Sequence, residues 1–428
     1  MLVLYVLIFF VIFLLLGMPV AFTIGISGAI FFIQNQYVPF SIVAQKAVSA
    51  TQSFPLLAIP FFILAGNLMN STGITPRLIK LATAATGHMS GGLAQVSVVL
   101  SSLMGGISGS ATADAAMEAR ILGPDMISRG YSRGYAAAAV SLPSLITATI
   151  PPSMGLIIYG FVGEVSIGRL FAAGLIPGLL MMTFLMIAVS ISSKKKGYKP
   201  VREKKATFKE LMIALKDSIW AVIFPLILII GIRFGIFTPS EAGAFAAVYA
   251  LFVGIFVYKE LTWKKFINVL DSTVEDLGAI MLIISFAGIF GYGIVYDRIP
   301  VVLSGFITNI TTNPIMLLFI ILIFLALCGM FIETTALVLI LTPIFLPIVQ
   351  QVGIDPVHFG ILMMTIVTME ILTPPVGVAM YTVCSILDCP TEEYTKESIP
   401  FFIAIISELI ILALFPDLVL FLPNLIFG

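Results

Sequence analysis

Residues 105–114 read Gly-Gly-Ile-Ser-Gly-Ser-Ala-Thr-Ala-Asp, a small, polar, glycine-rich stretch with apolar segments on both sides. Lipid cannot hydrogen-bond bare backbone, so such a stretch at membrane depth has to be buried in protein or line a wet cavity. Further on, Ile150-Pro151-Pro152-Ser153-Met154-Gly155 interrupts a second apolar run. Two consecutive prolines remove two backbone donors and break a helix. A broken helix beside a Ser/Gly-rich turn is how many transporters build an ion or substrate site. The membrane premise rests on composition: the 428 residues are 60% hydrophobic and 10% charged, with mean hydropathy +1.13. A soluble domain carries about 25% charged residues.

The pair of features occurs twice. With a shift of 223 positions and no gap, Gly106 falls on Gly329, Thr112 on Thr335 and Ala113 on Ala336. Pro124 falls on Pro347, Gly130 on Gly353, and Pro151-Pro152 on Pro374-Pro375. Glycine and proline carry backbone geometry, so their coincidence means more than matched leucines would, and a repeat of this kind is sought first.

Other classes fall away. Zero formal net charge implies no polyanion partner, and nucleic-acid binding is set aside. Cys328, Cys384 and Cys389 form neither a disulfide framework nor a metal spacing, and His88 and His358 are far apart. The apolar run from Leu2 lacks a basic leader and a clear cleavage site, so it reads as a retained span.

A helical span needs about 20 apolar residues. Residues 2–16 and 20–33 read as two spans joined at Gly17-Met18-Pro19, one long kinked helix being the alternative. Residues 54–69 form a third span; Thr75-Pro76 offers an N-cap with proline behind it, opening a weakly amphipathic arm. Residues 91–130 read as a re-entrant hairpin with limbs too short to cross and its tip at 108–112. Residues 131–163 are a helix broken at the prolines, and 170–191 closes the first half. The basic stretch from Lys194 to Lys205 marks a linker over 194–215. The second half, 216–428, repeats the plan with spans 220–237, 242–258 and 277–295, a hairpin over 314–353, a broken helix over 359–387 and a last span over 401–422.

The fold expected is therefore an all-α polytopic membrane protein, each half (1–193 and 216–428) with five crossings and one hairpin. Five is odd, so the second half is inverted. With the basic linker inside, both termini lie outside. Arg77, Lys80, Arg129, Arg133, Lys216, Lys259, Lys264, Lys265 and Lys396 then fall inside, against Lys46, Arg169, Arg233 and Arg298 outside, as the positive-inside rule requires.

Together, Gly-Ile-Ser-Gly-Ser-Ala-Thr-Ala-Asp at 106–114, Ile-Pro-Pro-Ser at 150–153, Gly-Ile-Asp-Pro-Val-His-Phe-Gly at 353–360 and Leu-Thr-Pro-Pro-Val-Gly at 372–377 make the chain resemble, over essentially its whole length, the large membrane subunit of TRAP (tripartite ATP-independent periplasmic) transporters. The resemblance implies sodium-driven uptake of an organic acid, of sialic acid or C4-dicarboxylate class, by an elevator motion across a bacterial inner membrane. It implies two partners, a periplasmic substrate-binding protein and a small four-helix membrane subunit. Many relatives carry that subunit fused; this chain starts at the large subunit, so the small one is expected as a separate polypeptide.

Sodium is a hard cation that takes oxygen ligands, and a polar turn supplies them without formal charge. The expected sodium ligands at the first tip are Gly106, Ser108, Gly109, Ser110 and Thr112, faced by Ser153 and Gly155. The mirror site takes Gly329, Glu333, Thr334, Thr335, Thr373 and Gly377. Small residues also let membrane helices pack closely, the structural alternative for each of them. Glu333 stands out because an acid at membrane depth is by default functional. The substrate contacts expected are Ser110, Asp114, Arg120, Pro152 and Pro374, with Arg120 meeting a carboxylate; an ion pair pinning the hairpin is the structural alternative. No cofactor beyond the coupling sodium is expected.

Two rival functions fit single features of the sequence. Gly106-Ile107-Ser108-Gly109 resembles a serine nucleophile turn of an intramembrane protease, but such an enzyme needs a base in reach, and both histidines sit at the membrane edge. An ion channel or pump subunit would need rows of intramembrane carboxylates that the chain lacks.

Overall fold

The computed structural model describes residues 2–35, 37–311 and 313–428, and every regular element among them is helical. Sequence punctuation sets many of the helix ends. Thr207 and Thr238 each cap a helix, accepting from the amides of Glu210 and Glu241 at 3.3 Å, while those glutamates return to the threonine amides at 2.9 and 2.8 Å. Both are capping boxes. The first two helices, Leu2–Leu15 and Val20–Gln34, are separate, with Gly17 at φ +77° in the turn.

The helix limits repeat along the chain. Shifted by 223 positions, Gly92–Gly105 falls on 315–328, and the helix there is Pro314–Gly329. Residues 111–128, two helices in the first half, fall on Thr334–Gln351. Arg133–Ser141 and Ser144–Thr149 fall on 356–372, where Pro356–Met369 runs into Glu370–Leu372. Met154–Val162 falls on 377–385, against Val378–Leu387.

The structure departs from the expected spans in four places. Among the described residues, seven helices can cross a membrane by length and apolarity, eight if Arg133–Thr149 and Met154–Val162, bent by 42°, count as one. The reading of ten crossings also counted Leu2–Leu15, Val20–Gln34 and the second broken helix, whose pieces are short. It left out Thr334–Gln351, a hairpin limb of 18 residues that is long enough. The last span begins at Thr391 rather than 401 and ends at Leu414, because Pro416 cannot supply a donor there and starts a further helix, Pro416–Phe427. The linker is shorter than 194–215: one helix runs to Lys196 and the next starts at Phe208. The arm begins at Ile74 behind Gly73 (φ +70°), so Thr75 lies inside the helix and is not its cap.

The helices pack in two groups. One gathers Leu2–Leu15, Val20–Gln34, Ala58–Ser71, Pro239–Phe252 and the 34-residue Trp263–Tyr296. At 1.5 Å per residue that last helix is about 51 Å long, well over the ~30 Å hydrocarbon core. The other group holds both hairpins, both broken helices, Ile167–Lys196 and Thr391–Leu414. The groups meet where Trp263–Tyr296 packs on Thr334–Gln351, and the arm Ile74–Thr86 packs on Phe208–Arg233 and on the first hairpin limb.

Close approach within the first group depends on glycine. A Cβ on Gly28 would stand 2.9 Å from the backbone of Phe290, whereas a Cβ on Gly278 of the same long helix would meet nothing within 4 Å. Gly28→Val is therefore expected to cost about 1–3 kcal/mol by overpacking and to lower the melting temperature of the detergent-solubilised protein by several degrees. Gly278→Ala should leave it unchanged; equal melting of both variants would show that this contact does not set the helix spacing.

Candidate functional site

The two hairpin tips meet. A cleft of about 120 Å³ is lined by Gly109, Ser110 and Thr112 from the first tip and by Glu333, Thr334 and Thr335 from the second. Ser153 and Gly155 from the first break complete it, with Met364, Thr368 and Ile371 before the second break and Ile280 from the long helix of the other group.

Three helices begin at its wall. Ser110 caps Ala111–Ile121, its hydroxyl accepting from the Ala113 amide at 3.4 Å. Ser153 caps Met154–Val162, accepting from Leu156 at 3.5 Å. Glu333 caps Thr334–Gln351: its carboxylate accepts from the Ala336 amide at 3.1 Å and from the Thr335 hydroxyl at 2.8 Å. Helix N-termini carry partial positive charge and unpaired N–H groups and so favour anions. Hydroxyl and carboxylate oxygens beside them suit a hard cation. The cleft thus offers both polarities within one small space.

The first tip is held by close backbone approach. Gly109 has φ +62°, and a Cβ there would lie 2.6 Å from the Pro152 carbonyl oxygen. Both prolyl–prolyl bonds, Pro151-Pro152 and Pro374-Pro375, are cis.

The other expected residues stand elsewhere. Gly106 is buried, and a Cβ on it would strike Pro225. Ser108 is half-buried behind the tip and accepts from the Ser110 amide at 3.4 Å. Gly329 packs against the Glu370 side chain. The Thr373 hydroxyl donates to the Met369 carbonyl at 3.0 Å, and the Gly377 amide to Thr373 at 3.2 Å. Pro152 is buried and Pro374 half-buried, and neither lines the cleft. Asp114, 1% exposed, takes the Thr147 hydroxyl at 2.6 Å. Arg120 is exposed at the far end of its helix, away from the cleft lining. Neither His88 nor His358 lines the cleft; His358 Nε2 bonds the Leu412 carbonyl at 2.9 Å.

Three buried carboxylates went without a site role in the sequence reading. Glu118, fully buried, takes the Ser101 hydroxyl at 2.8 Å and that of Ser97. Glu370, 4% exposed, sits at the second break with Oε2 unpaired, and Glu408 is fully buried with both oxygens unpaired among the described residues. Each is an acid within an apolar run, the signal that had singled out Glu333.

Gly109→Ala adds a left-handed penalty of about 1–2 kcal/mol to the clash with Pro152. It should lower the melting temperature more than Gly130→Ala, where φ is +88° but nothing lies within 4 Å. Indistinguishable shifts would mean that the tip does not seat on the proline break.

Residues 7–418 match the sequence model of a family described as "Tripartite ATP-independent periplasmic transporter, DctM component". The chain is 38% identical over 412 residues to the sialic acid TRAP transporter large permease protein SiaM of Vibrio cholerae, covering 96% of each chain. It is 36% identical over 414 residues to the isethionate TRAP transporter permease protein DctMQ of Oleidesulfovibrio alaskensis, covering 96% of this chain and 65% of that one. Among solved structures, the YdaH transporter of Alcanivorax borkumensis superposes with a TM-score of 0.64 at 12% identity, over 96% of this chain and 98% of that one, a likeness of fold.

Proposed function

Because this chain belongs to the DctM component family of tripartite ATP-independent periplasmic transporters, we propose that it carries an organic acid of sialic acid or C4-dicarboxylate class inward, driven by sodium, by an elevator movement. It is a multi-pass membrane component of a transporter. The observation that carries the substrate reading is the convergence of three capped helix N-termini on one cleft. A substrate carboxylate would face those N-termini. Sodium would take the Ser110, Thr112, Ser153 and Thr335 hydroxyls with the Glu333 carboxylate. The names of the two relatives, one of sialic acid and one of isethionate, support an organic anion and do not choose among them.

The elevator reading is supported by the two packing groups. The cleft belongs to the hairpin group, and Ile280 is its one lining residue from the other. A small membrane subunit and a periplasmic binding protein complete the proposed assembly, in a bacterial inner membrane. The tripartite family description supports both partners, and the length of DctMQ beyond the matched part supports the first.

Each net charge moved inward gains about 2.3 kcal/mol per 100 mV, so two sodium ions with a monoanion would be voltage-assisted. The expected outcome is that Ser110→Ala and Thr335→Ala each raise, several-fold, the sodium concentration for half-maximal uptake. The assay is proteoliposomes holding the chain, the small subunit and the loaded binding protein, at fixed pH. Uptake sustained by a proton gradient in sodium-free buffer would sink the sodium assignment.

Inversion of the halves places Lys196 inside and Gly428 outside. In a background without native cysteines, an impermeant thiol reagent added to intact cells should label Gly428→Cys and spare Lys196→Cys. Equal labelling of the two would contradict the inverted arrangement, while leaving the family membership untouched.

A further inference from the structure

Away from the cleft, helices Ile167–Lys196 and Thr391–Leu414 part along a groove of about 700 Å³. Its walls are apolar along most of their length. Ile187 and Ile191 rise on one side and Ile403 on the other, exposed by 52, 66 and 60%. One end is basic, where Lys195, Lys196 and Lys396 gather. Lys196 pairs with Glu397 at 2.7 Å, while Lys195 and Lys396 are exposed and make no ion pair among the described residues. The groove therefore has a polarity, cationic at one end and aliphatic beyond it.

We propose that this groove binds an anionic glycerophospholipid, its phosphate on Lys195 and Lys396 and its acyl chains along Ile187, Ile191 and Ile403. Ile187, Ile191 and Lys195 follow one another at four-residue spacing and so share one helix face. From Ile187 to Lys195 the helix rises about 12 Å, against the ~15 Å half-thickness of the hydrocarbon core. The lysines thus reach the headgroup level when the isoleucines lie among acyl chains. Basic pockets between membrane helices are suited to lipid phosphates. A second copy of this chain is a poor occupant, since a two-fold contact on this face would bring the lysines of both copies together. The lower end is too apolar for a soluble anion, which would use the lysines alone. The inference depends on these helices crossing a membrane, not on the sodium or organic-acid readings.

The test uses the full-length chain purified in mild detergent and exposed to mixed micelles of phosphatidylglycerol and phosphatidylcholine, with retained lipid counted by native mass spectrometry. The wild type should retain phosphatidylglycerol preferentially. Lys195→Gln and Lys396→Gln should each weaken retention about five-fold, and Ile191→Ser should weaken it as well. All three positions are exposed, so monodisperse elution is expected of each variant. Lys209→Gln and Lys216→Gln, on the helix Phe208–Arg233, serve as controls and should change nothing. Excess inorganic phosphate should not displace the lipid. Equal losses from the control lysines would reduce the effect to general surface charge and overturn the site. So would displacement by phosphate alone, or protection of Lys195 and Lys396 from acetylation by the small subunit in lipid-free detergent.

Discussion

Every backbone group freed at membrane depth has to be met by protein or by water in a cavity, and this fold is arranged around that requirement. The first break leaves carbonyls without donors, because Pro151 and Pro152 have no N–H. Glycines of neighbouring segments lie against carbonyl oxygens at this break and at the hairpin tip that faces it. A Cβ on Gly174 would come within 2.2 Å of the Thr149 oxygen, one on Gly109 within 2.6 Å of Pro152, and one on Gly66 within 3.1 Å of Ser108. Only a residue without a side chain permits such an approach. At the second break the solution differs: the Tyr394 hydroxyl donates to the Leu372 carbonyl at 3.2 Å and meets Ser141 of the first broken helix at 3.1 Å. One hydroxyl thus ties the second break to the first broken helix.

That difference explains why the halves match in helix limits and differ in chemistry. The shift of 223 positions takes Gly109 to Ile332, Gly66 to Ile289 and Gly174 to Glu397. At these positions the backbone plan is repeated and the side chains are not. The first hairpin carries its acids in a hydroxyl network, Asp114 with Thr147 and Glu118 with Ser97 and Ser101. In the second half the positions of Asp114 and Glu118 are Leu337 and Leu341, while that of Thr147 is Glu370, facing Gly329. Buried acids left without partners are costly, which makes Glu370 and Glu408 the least settled groups in the hairpin group.

Much of the plan was legible in the sequence because proline, glycine and capping residues act locally. The breaks, the hairpin tips and the separation of the first two helices follow from such residues. Span limits were less legible: hydropathy does not register the polar turns by which Phe208–Arg233 and Trp263–Tyr296 extend beyond their apolar stretches. At the site, the meeting of Ser110, Ser153 and Glu333 was not legible as one cleft, since it depends on how the hairpins dock across more than two hundred positions. Asp114 was read toward the substrate on residue type alone. Its direction, into Thr147, is set by the register of Ser144–Thr149 against the hairpin, which the sequence does not display.

The size of the cleft bears on movement. The cleft measures about 120 Å³. That is small beside ordinary small-molecule sites, which run to about 300–1,000 Å³. Widening it by bending a hairpin would pull Gly109 off Pro152 and expose the carbonyls that the tip covers. Sliding the hairpin group past the long helix instead removes the Ile280 side chain from the wall and keeps Gly109 on Pro152, exchanging only the contact of Gly66, on the other group, with Ser108. The second course keeps the first tip seated on its break, which is what the proposed elevator movement of the hairpin group as one body requires.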